Sequence, residues 1–275
     1  MRKILLLFFT LTFILQISAQ ETKEWFPSGL NIRPFAANFL EPRAGFNYLL
    51  AERNIRLDIG TSSDIYKIKD GNTTLSFGAD VFTYTRLRSE SGFKFPVEAV
   101  DYLFGINSGY KITDENKEYG FRFRFAHISA HLVDGSFDHS TNQWRNGRNP
   151  FVYSKEFFEL FPFYSINNFR IYTGFTYIFH VVPTDIGKEI YQAGFDNYFT
   201  CLHIKTFTPF VGYDFKLEKI GKYAGSNIVT AGIKFGKWDE KGFSISFSYF
   251  AGKSVHGEFY DLNEDYASLG FNMEL

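Results

Sequence analysis

Apolar and polar residues alternate along most of this chain. In the stretch "GFSISFSYF", Phe243, Ile245, Phe247 and Tyr249 take alternate positions, and serines fill the places between them. Because successive side chains of a β-strand point to opposite faces, this order predicts a strand with one apolar and one polar face. Comparable stretches recur up to the last residues and are separated by clusters of Gly, Asn, Asp and Lys. The pattern predicts an all-β protein.

The alternation divides the chain into about twelve strands, which follow a proline-containing N-terminal segment at 21–42. Each predicted boundary is uncertain by about 2 to 4 residues. The predicted strands span 43–50, 54–66, 74–88, 96–112, 118–133, 151–165, 168–181, 189–199, 205–217, 226–237, 241–251 and 265–275. They leave no room for a second domain, so residues 43–275 are predicted to form one domain.

Aromatic residues make up 20% of the chain, with 35 Phe and 17 Tyr. A soluble core does not explain so many, and after residue 20 no uncharged apolar run reaches the ~18 residues of a spanning helix. Transmembrane barrels place aromatic residues on the lipid-facing surface and in two girdles at the membrane interfaces, while alternate positions stay polar. The predicted fold is therefore an antiparallel transmembrane β-barrel of the outer-membrane type.

Both ends of the chain agree with export to the cell outer membrane. Residues 1–20 combine a basic start, an apolar run at 4–15 and small residues near Ala19, which is typical of a cleaved signal peptide. The apolar run is short for an anchoring helix of ~20 residues. The spaced apolar residues that end at Leu275 resemble the C-terminal signal by which outer-membrane barrels are recognised for assembly. The predicted partners are the barrel-assembly machinery and membrane lipids.

Charge and cysteine content exclude other classes of protein. The formal net charge of -1 gives no reason to expect a nucleic-acid partner. The single cysteine, Cys201, cannot form an intramolecular disulfide. Four histidines are scattered without metal-ligand spacing, namely His139, His180, His203 and His256. The sequence requires no cofactor.

Loop lengths orient the predicted barrel, because periplasmic turns are short and external loops are longer. The connections at 113–117 and 167–168 are tight, whereas those at 134–150, 182–188 and 252–264 are longer. With both chain ends in the periplasm, odd-numbered strands run outward. The fifth strand, at 118–133, therefore places its last residues at the outer leaflet.

The fifth strand reads "EYGFRFRFAHISAH" over 118–131. Arg122 and Arg124 are predicted to point into the lumen, because a charge facing lipid at mid-depth costs about 2–4 kcal/mol. The alternate positions then face lipid, and they are Phe121, Phe123, Phe125, His127, Ser129 and His131. Polar residues thus replace aromatic ones on the outer face at the height of the outer leaflet.

His127 and Ser129 share one face with Cα atoms ~6.6 Å apart, so the imidazole can reach the hydroxyl. A neutral imidazole can take the serine proton while a third polar group holds its tautomer. The His-x-Ser motif resembles that of two families of lipid hydrolases, the outer-membrane phospholipase and the lipid A deacylase. The resemblance implies an esterase acting on phospholipid or lipid A, with an Asn or Glu on the neighbouring strand as the third member.

For the third member we predict Glu156, which lies on the next strand in "VYSKEFFELF". Asp101 and Glu159 are second choices, and His131 and Asp134 are candidate supporting residues. Each carboxylate has an alternative interpretation, because acidic residues of spanning strands often pair with cations inside the protein. The sequence does not fix strand register, so it leaves the face of Glu156 open.

Longer motifs resemble a family of exported proteins, the domain of unknown function 1207. They include "EPRAGF", "AVDYLFG", "YSKEFFELF" and "HGEFY", and the most specific is "HISAHLVD" at 127–134. The resemblance covers most of residues 34–275. In that family we expect Gln and Ser in place of Ile128 and Ala130, which are lumen positions here, so these departures leave the candidate site intact. The resemblance implies a barrel and not a reaction.

Three functions remain open: a lipid-acting esterase on the outer wall, a passive pore, and a structural or docking barrel. A twelve-strand barrel is small, so side chains such as Arg122 and Arg124 can fill its lumen. Asp134 and Asp138, with loop carbonyls, offer oxygen ligands for Ca2+, although an exposed loop with two acidic residues usually binds nothing. The sequence alone leaves the choice between enzyme and passive barrel undecided.

Overall fold

The protein folds as a closed antiparallel barrel in a computed structural model that describes residues 21–202 and 206–274. Its strands are β1 (Thr22–Trp25), β2 (Ala44–Leu49), β3 (Ile55–Asp70), β4 (Thr73–Leu87), β5 (Val97–Asp114), β6 (Lys117–Leu132), β7 (Phe137–Asp138), β8 (Gln143–Trp144), β9 (Tyr153–Ile166), β10 (Phe169–Val182), β11 (Ile186–Tyr198), β12 (Phe207–Ile220), β13 (Lys222–Phe235), β14 (Gly242–Lys253) and β15 (Asn263–Glu274). Twelve of them, β2–β6 and β9–β15, form the barrel, which closes where β15 pairs with β2. Within the described ranges, no helix has the length and apolar character needed to cross a membrane.

The predicted fold class is confirmed, and each predicted strand has its counterpart. The largest differences in boundary are four residues, as for the strand predicted at 54–66 and observed at Ile55–Asp70. The predicted signal peptide at 1–20 and the terminal Leu275 lie outside the described residues. β1 runs along the end of β3, and β7 and β8 form a small hairpin in a loop.

Side chains of β6 alternate between the two faces of the wall as predicted. Arg122 and Arg124 are 7% and 0% exposed, whereas Phe121, Phe123 and Phe125 are 37–41% exposed. Ile128 and Ala130 continue the buried inner face. Arginines therefore point inward and phenylalanines point toward lipid, which leaves the odd-numbered positions above them on the outer face.

The connections support the predicted direction of the strands with one exception. Residues 115–116 and 167–168 are two-residue turns, in which Glu115 and Asn167 have φ of 51° and 54°. The loops at 133–152 and 254–262 are long and lie at the opposite end of the barrel. The long loop predicted at 182–188 is wrong, because β10 continues to Val182 and β11 begins at Ile186.

The lumen is occupied by the chain itself. Residues 26–43, here called the inner segment, enter the barrel and pack against its inner wall. Phe35 is fully buried, with ring centroids 4.1 Å from Tyr172 and 5.2 Å from Phe161. Arg170 donates to the main-chain carbonyls of Arg33 and Pro34 at 2.8 and 2.7 Å. The sequence predicted filling by side chains, and the structure adds a folded stretch of backbone.

A cluster of buried charges fastens the inner segment to the wall. Arg122 donates two hydrogen bonds of 2.7 and 2.6 Å to the Glu41 carboxylate. Arg124 lies 2.8 Å from Asp80 and 3.2 Å from Glu159. Burial opposes ionisation of Glu41, but the neighbouring Arg122 outweighs it, and the pKa of Glu41 falls to about 2. Glu41 therefore stays ionised, and each charged side chain of the cluster lies beside one of opposite charge.

The loop at 254–262, here called the outer lid, folds into the external end of the barrel. The imidazole Nδ1 of His256 lies 2.8 Å from the Asp101 carboxylate, and the N–H of Gly257 donates to the same group at 2.7 Å. The ring of Phe259 sits between the guanidinium groups of Arg86 and Arg148, at 4.8 and 5.2 Å. The inner segment and the outer lid thus both pack inside the lumen.

Stability of the outer lid is expected to depend on pH through Glu258. Burial raises the pKa of this carboxyl from 4.5 to about 7, so the folded lid favours the protonated form. Its contribution to stability is complete below about pH 4.5, declines as the pH rises toward 7, and stays low above that. Hydrogen exchange of residues 254–262, corrected for intrinsic rates, should be faster at pH 8 than at pH 5. Glu258→Gln, which is neutral throughout, should remove the difference, and equal protection in the wild type at both pH values would contradict the prediction.

Candidate functional site

Three strands bring a carboxylate and two imidazoles together on the outer face of the barrel. Nδ1 of His127 on β6 lies 2.6 Å from Oε1 of Glu156 on β9. Nδ1 of His180 on β10 lies 2.5 Å from Oε2 of the same carboxylate. The three side chains are partly exposed, at 40%, 26% and 59% respectively. Glu156 therefore bridges two histidines on the surface that faces lipid.

Strand register explains the contact between His127 and Glu156. The two residues are directly paired in the antiparallel ladder of β6 and β9, and the next outward pair is Ser129 with Ser154. Directly opposed residues of such a ladder have Cβ atoms about 4.5–5.5 Å apart. The ladder thus places the predicted base, nucleophile and carboxylate side by side. Glu156 points to the outer face of the barrel, which the sequence had left open.

The carboxylate fixes which nitrogen of His127 carries the proton. An ionised carboxylate only accepts hydrogen bonds, so Nδ1 must donate to it. In the neutral imidazole this leaves Nε2 as the acceptor, which can take a proton from a hydroxyl. Ser129 supplies a hydroxyl two positions along the same face. The arrangement has the parts of a nucleophile, a general base and an orienting group.

Ser154 adds a second hydroxyl beside the predicted one. Its Oγ donates to Oε1 of Glu156 at 3.2 Å, so it helps to hold the carboxylate. It lies directly across the ladder from Ser129. The two serines lie at the same depth in the membrane and on the same face of the barrel, but on different strands, and only Ser129 is on the strand of His127. Substitution of Ser154 is therefore a matched control for substitution of Ser129.

The sequence did not identify His180 as a site residue, because a β-bulge turns its side chain to the outer face of the barrel. The register of β10 against β9 shifts between Ile178 and His180, so Phe179 is an extra residue. Phe179 and His180 are consequently both exposed, where strict alternation would turn the histidine inward. The sequence shows only that His180 directly follows the outward-facing residues Phe175, Tyr177 and Phe179. Alternation by itself assigns His180 to the inner face.

Aromatic side chains form an apolar surface around and below the polar group. Phe125, Phe158 and Phe179 contact one another, with ring centroids 5.2–5.7 Å apart. Phe104 is paired with His127 across the other edge of β6 and is 50% exposed. The polar residues therefore lie at the border of a surface suited to acyl chains, with the rings toward the membrane interior.

The structure does not bring the other candidate carboxylates to this site. Asp101 points into the lumen, where it binds His256 and Gly257, and Glu159 points inward to Arg124. Both were second choices for the orienting group, and both are wrong because they occupy inward positions of their strands. The alternative interpretation as a partner of lumen arginines holds for Glu159.

The candidate supporting residues lie above the site. His131 is exposed, with its ring centroid 6.1 Å from that of Tyr102. Asp134 is exposed in the short helical turn that follows β6. Asp138 is engaged by Ser140 at 2.7 Å and by Arg145 at 3.2 Å. In the part of the chain that the structure describes, no three His, Cys, Asp or Glu residues are grouped as for a metal ion, and His203 lies outside that part.

Comparison with known proteins bears on the family and the fold. Residues 71–274 match the family described as "Protein of unknown function (DUF1207)". No curated protein sequence matches the chain. The fold is similar to outer membrane phospholipase A from Escherichia coli, with a TM-score of 0.52 and 10% identity over 88% of this chain and 93% of that one.

Other barrels are less similar. OmpT of Vibrio cholerae has a TM-score of 0.40 and 9% identity, covering 94% of this chain and 98% of its own. OprD from Pseudomonas aeruginosa has a TM-score of 0.35 and 7% identity, covering 80% and 74%. The resemblance to the DUF1207 family and the predicted fold class are confirmed, whereas the His-x-Ser resemblance to lipid hydrolases stays a prediction. At such low identity, the structural likeness speaks for the fold alone.

Proposed function

The chain belongs to the DUF1207 family and folds as an outer-membrane-type barrel, and from this premise we propose that it is a lipid esterase of the outer membrane. Its substrate class is phospholipid or lipid A, from which it removes an acyl chain. Ser129 is the nucleophile, His127 the general base and Glu156 the orienting group. The observation that carries the proposal is the 2.6 Å contact between Glu156 and Nδ1 of His127, on the lipid face and beside Ser129.

The proposed reaction proceeds through an acyl-enzyme. Oγ of Ser129 attacks the ester carbonyl carbon while its proton passes to Nε2 of His127. The tetrahedral intermediate collapses, the bond to the alcohol breaks, and the imidazolium returns the proton to the departing alkoxide. Water then attacks the acyl-serine with the same base, which releases a fatty acid and restores the serine. Glu156 stabilises the imidazolium during both steps.

Position in the membrane supports a lipid substrate. β6 runs toward the end of the barrel with the long loops, so His127 and Ser129 lie in its outer part. Ester bonds of outer-leaflet lipids lie at that height, with acyl chains beside the exposed rings. We propose that residues 1–20 direct export, that assembly machinery recognises the last strand, and that outer-membrane lipids surround the site.

The similar fold of outer membrane phospholipase A lends support of a limited kind. The two chains correspond over most of their lengths, but 10% identity carries no residue roles between them. Ca2+ near Asp134 and Asp138 stays a prediction from the loop sequence.

The alternative is an outer-membrane barrel without catalysis, either a pore or a structural component. Filling of the lumen by the inner segment and the outer lid favours the structural form of this alternative over conduction. Under it, His127, Glu156 and His180 would form a hydrogen-bonded polar patch among the lipid headgroups.

Lipid hydrolysis by the purified protein tests the proposal directly. The full chain is incubated in vesicles with acyl-labelled phospholipid or, separately, acyl-labelled lipopolysaccharide. We expect release of labelled fatty acid from one of them and covalent capture of Ser129 by a fluorophosphonate, located by peptide mass. A folded protein, verified by its heat-dependent gel mobility, that releases nothing from either lipid and takes up no fluorophosphonate would overturn the esterase proposal.

His180 is expected to act through Glu156 and not on the substrate. A hydrogen bond to a charged group contributes about 1.5–3 kcal/mol, and its exposure places this one at the lower end. His180→Ala should therefore lower kcat roughly 10-fold with little change in KM. His180→Asn keeps an N–H donor near the position of Nδ1 and should recover most activity, and Phe179→Leu serves as the neighbouring control. Full activity of His180→Ala would show that Glu156 needs only His127.

A further inference from the structure

A cavity lies inside the barrel, at the end opposite the outer lid. It has a volume of about 720 Å³, within the range of small-molecule sites. One side is the inner segment, and the other consists of β3 and the inward faces of β12–β15. Its lining includes Phe26, Glu274 and residues of the turn at 236–241, which joins β13 to β14 at the end of the barrel opposite the outer lid, the predicted periplasmic side. We call this space the periplasmic chamber.

One wall of the periplasmic chamber is rich in uncharged hydrogen-bonding groups. Ser244, Ser246 and Ser248 follow one another along the inward face of β14. On the neighbouring β15, Oδ1 of Asn272 is buried without a hydrogen-bond partner among the described residues. A buried carbonyl oxygen left unpaired is unfavourable unless a ligand or water donates to it. This wall therefore offers hydroxyls and an open acceptor to a polar molecule.

Two arginines face the chamber with donors to spare. The guanidinium of Arg33 lies 4.1 Å from the ring centroid of Trp238 and 5.3 Å from that of Tyr198. Arg43 is held by main-chain carbonyls, donating through Nε to Glu41 at 3.2 Å and through Nη2 to Asn38 at 2.6 Å. Stacking and carbonyl contacts fix the two groups in place, and among the residues that the structure describes no carboxylate is bonded to either positive charge.

The acidic residues of the chamber wall are mostly neutralised by other cations. Glu41 is paired with Arg122 at 2.6 Å. Further pairs join Asp64 to Lys67, Glu240 to Lys237 and Glu274 to Lys234. Asp239 and Lys241, which carry opposite charges, both line the chamber. Among the described residues, Arg33 and Arg43 therefore add positive charge to the interior that no ion pair of the wall offsets.

We propose that the periplasmic chamber binds a small saccharide that carries a carboxylate or a phosphate. A guanidinium fork matches both anions with two parallel hydrogen bonds. The serine row and Asn272 pair with sugar hydroxyls, and Phe210 and Tyr198 supply apolar surface for a sugar ring. The cluster around Glu41 and Arg124 closes the space above, so the chamber is a binding site with one opening and not a conduit.

Calorimetric titration of the full chain in detergent micelles tests the assignment with defined probes. The probe that carries a carboxylate is the disaccharide of N-acetylglucosamine and N-acetylmuramic acid. The probe that carries a phosphate is glucosamine 1-phosphate. Diacetylchitobiose serves as the neutral sugar and inorganic phosphate as the plain anion. We expect at least one of the two anionic sugars to bind at least 10-fold more tightly than both controls. The more tightly bound of these two probes identifies which anion the chamber selects.

Substitutions then locate the binding. Arg33→Gln should lower the affinity for the anionic sugar at least 10-fold. The double substitution Ser244→Ala and Ser246→Ala should lower the affinity for the sugar more than the affinity for inorganic phosphate. Arg53→Gln, in a loop at the far end, should change nothing, and unchanged heat-dependent mobility verifies folding of each variant. The proposal would be overturned if the anionic sugars bound no more tightly than inorganic phosphate or than diacetylchitobiose. It would also be overturned if no probe bound, or if Arg33→Gln bound the anionic sugar as tightly as the wild type.

Discussion

Ser129→Ala and His127→Ala are each expected to abolish ester cleavage to the same extent, lowering kcat by about 10⁴- to 10⁶-fold. Nucleophile and base act as one unit, so loss of either member removes the same step and the two effects do not add. The measurement is release of labelled fatty acid from the lipid that the wild type cleaves. Ser154→Ala is the control, because it removes a hydroxyl directly across the ladder from Ser129 and should retain most activity.

Glu156→Gln is expected to cost less than either of these changes. The amide oxygen can still accept from Nδ1 of His127, although the charge that stabilises the imidazolium is lost. Folding should be unaffected in all these variants, as checked by heat-dependent mobility. If Ser129→Ala kept full activity while Ser154→Ala lost it, the nucleophile would be on β9 and the assignment of Ser129 would be wrong.

The second large effect concerns stability and involves the buried charges that fasten the inner segment. Glu41→Ala leaves Arg122 buried without its bidentate partner. Arg124→Ala removes the guanidinium that pairs with Asp80 and leaves Glu159 with the more distant Arg122, at 3.8 Å. Removal of one member of a buried ion pair costs about 3–5 kcal/mol, because the remaining charge stays desolvated. Denaturant unfolding in vesicles, followed by tryptophan fluorescence, should show this loss in free energy of unfolding. Lys237→Ala, which breaks an exposed and solvent-screened ion pair, should change the free energy of unfolding far less.

A double substitution distinguishes charge pairing from packing. In Glu41→Ala combined with Arg122→Ala, no charge of the pair is left alone, so the loss should be clearly smaller than the sum of the two single losses. Strict additivity would mean that the two residues contribute independently and that their contact does not fasten the inner segment.

Alternation along the strands made the fold predictable. The positions of Phe121, Phe123 and Phe125 opposite Arg122 and Arg124 fix both faces of β6, because lipid does not tolerate the arginines. Once the inner and outer faces of one strand are known, His127 and Ser129 follow by counting residues. Glu156 could be named as a candidate because β9 pairs with β6, as consecutive barrel strands do, but its face depends on the strand register, which the structure supplies.

The features that sequence did not predict depend on long-range contacts. The bulge at Phe179 departs from alternation by one residue, and local composition gives no reason for it there. Residues 26–43 have no strand or helix period, so their place inside the barrel rests on partners far away in sequence, such as Arg122 for Glu41. Asp101 faces inward to meet His256, which lies in a loop at the other end of the chain.

The inner segment also limits the order in which the molecule can be assembled. It leads directly into β2, whose pairing with β15 closes the sheet through six residue pairs, against sixteen between β5 and β6. A finished wall would leave folded backbone no sideways route into the lumen. Residues 26–43 must therefore be in place before the first and last strands join, and the short seam between them is the part of the wall that can stay open longest.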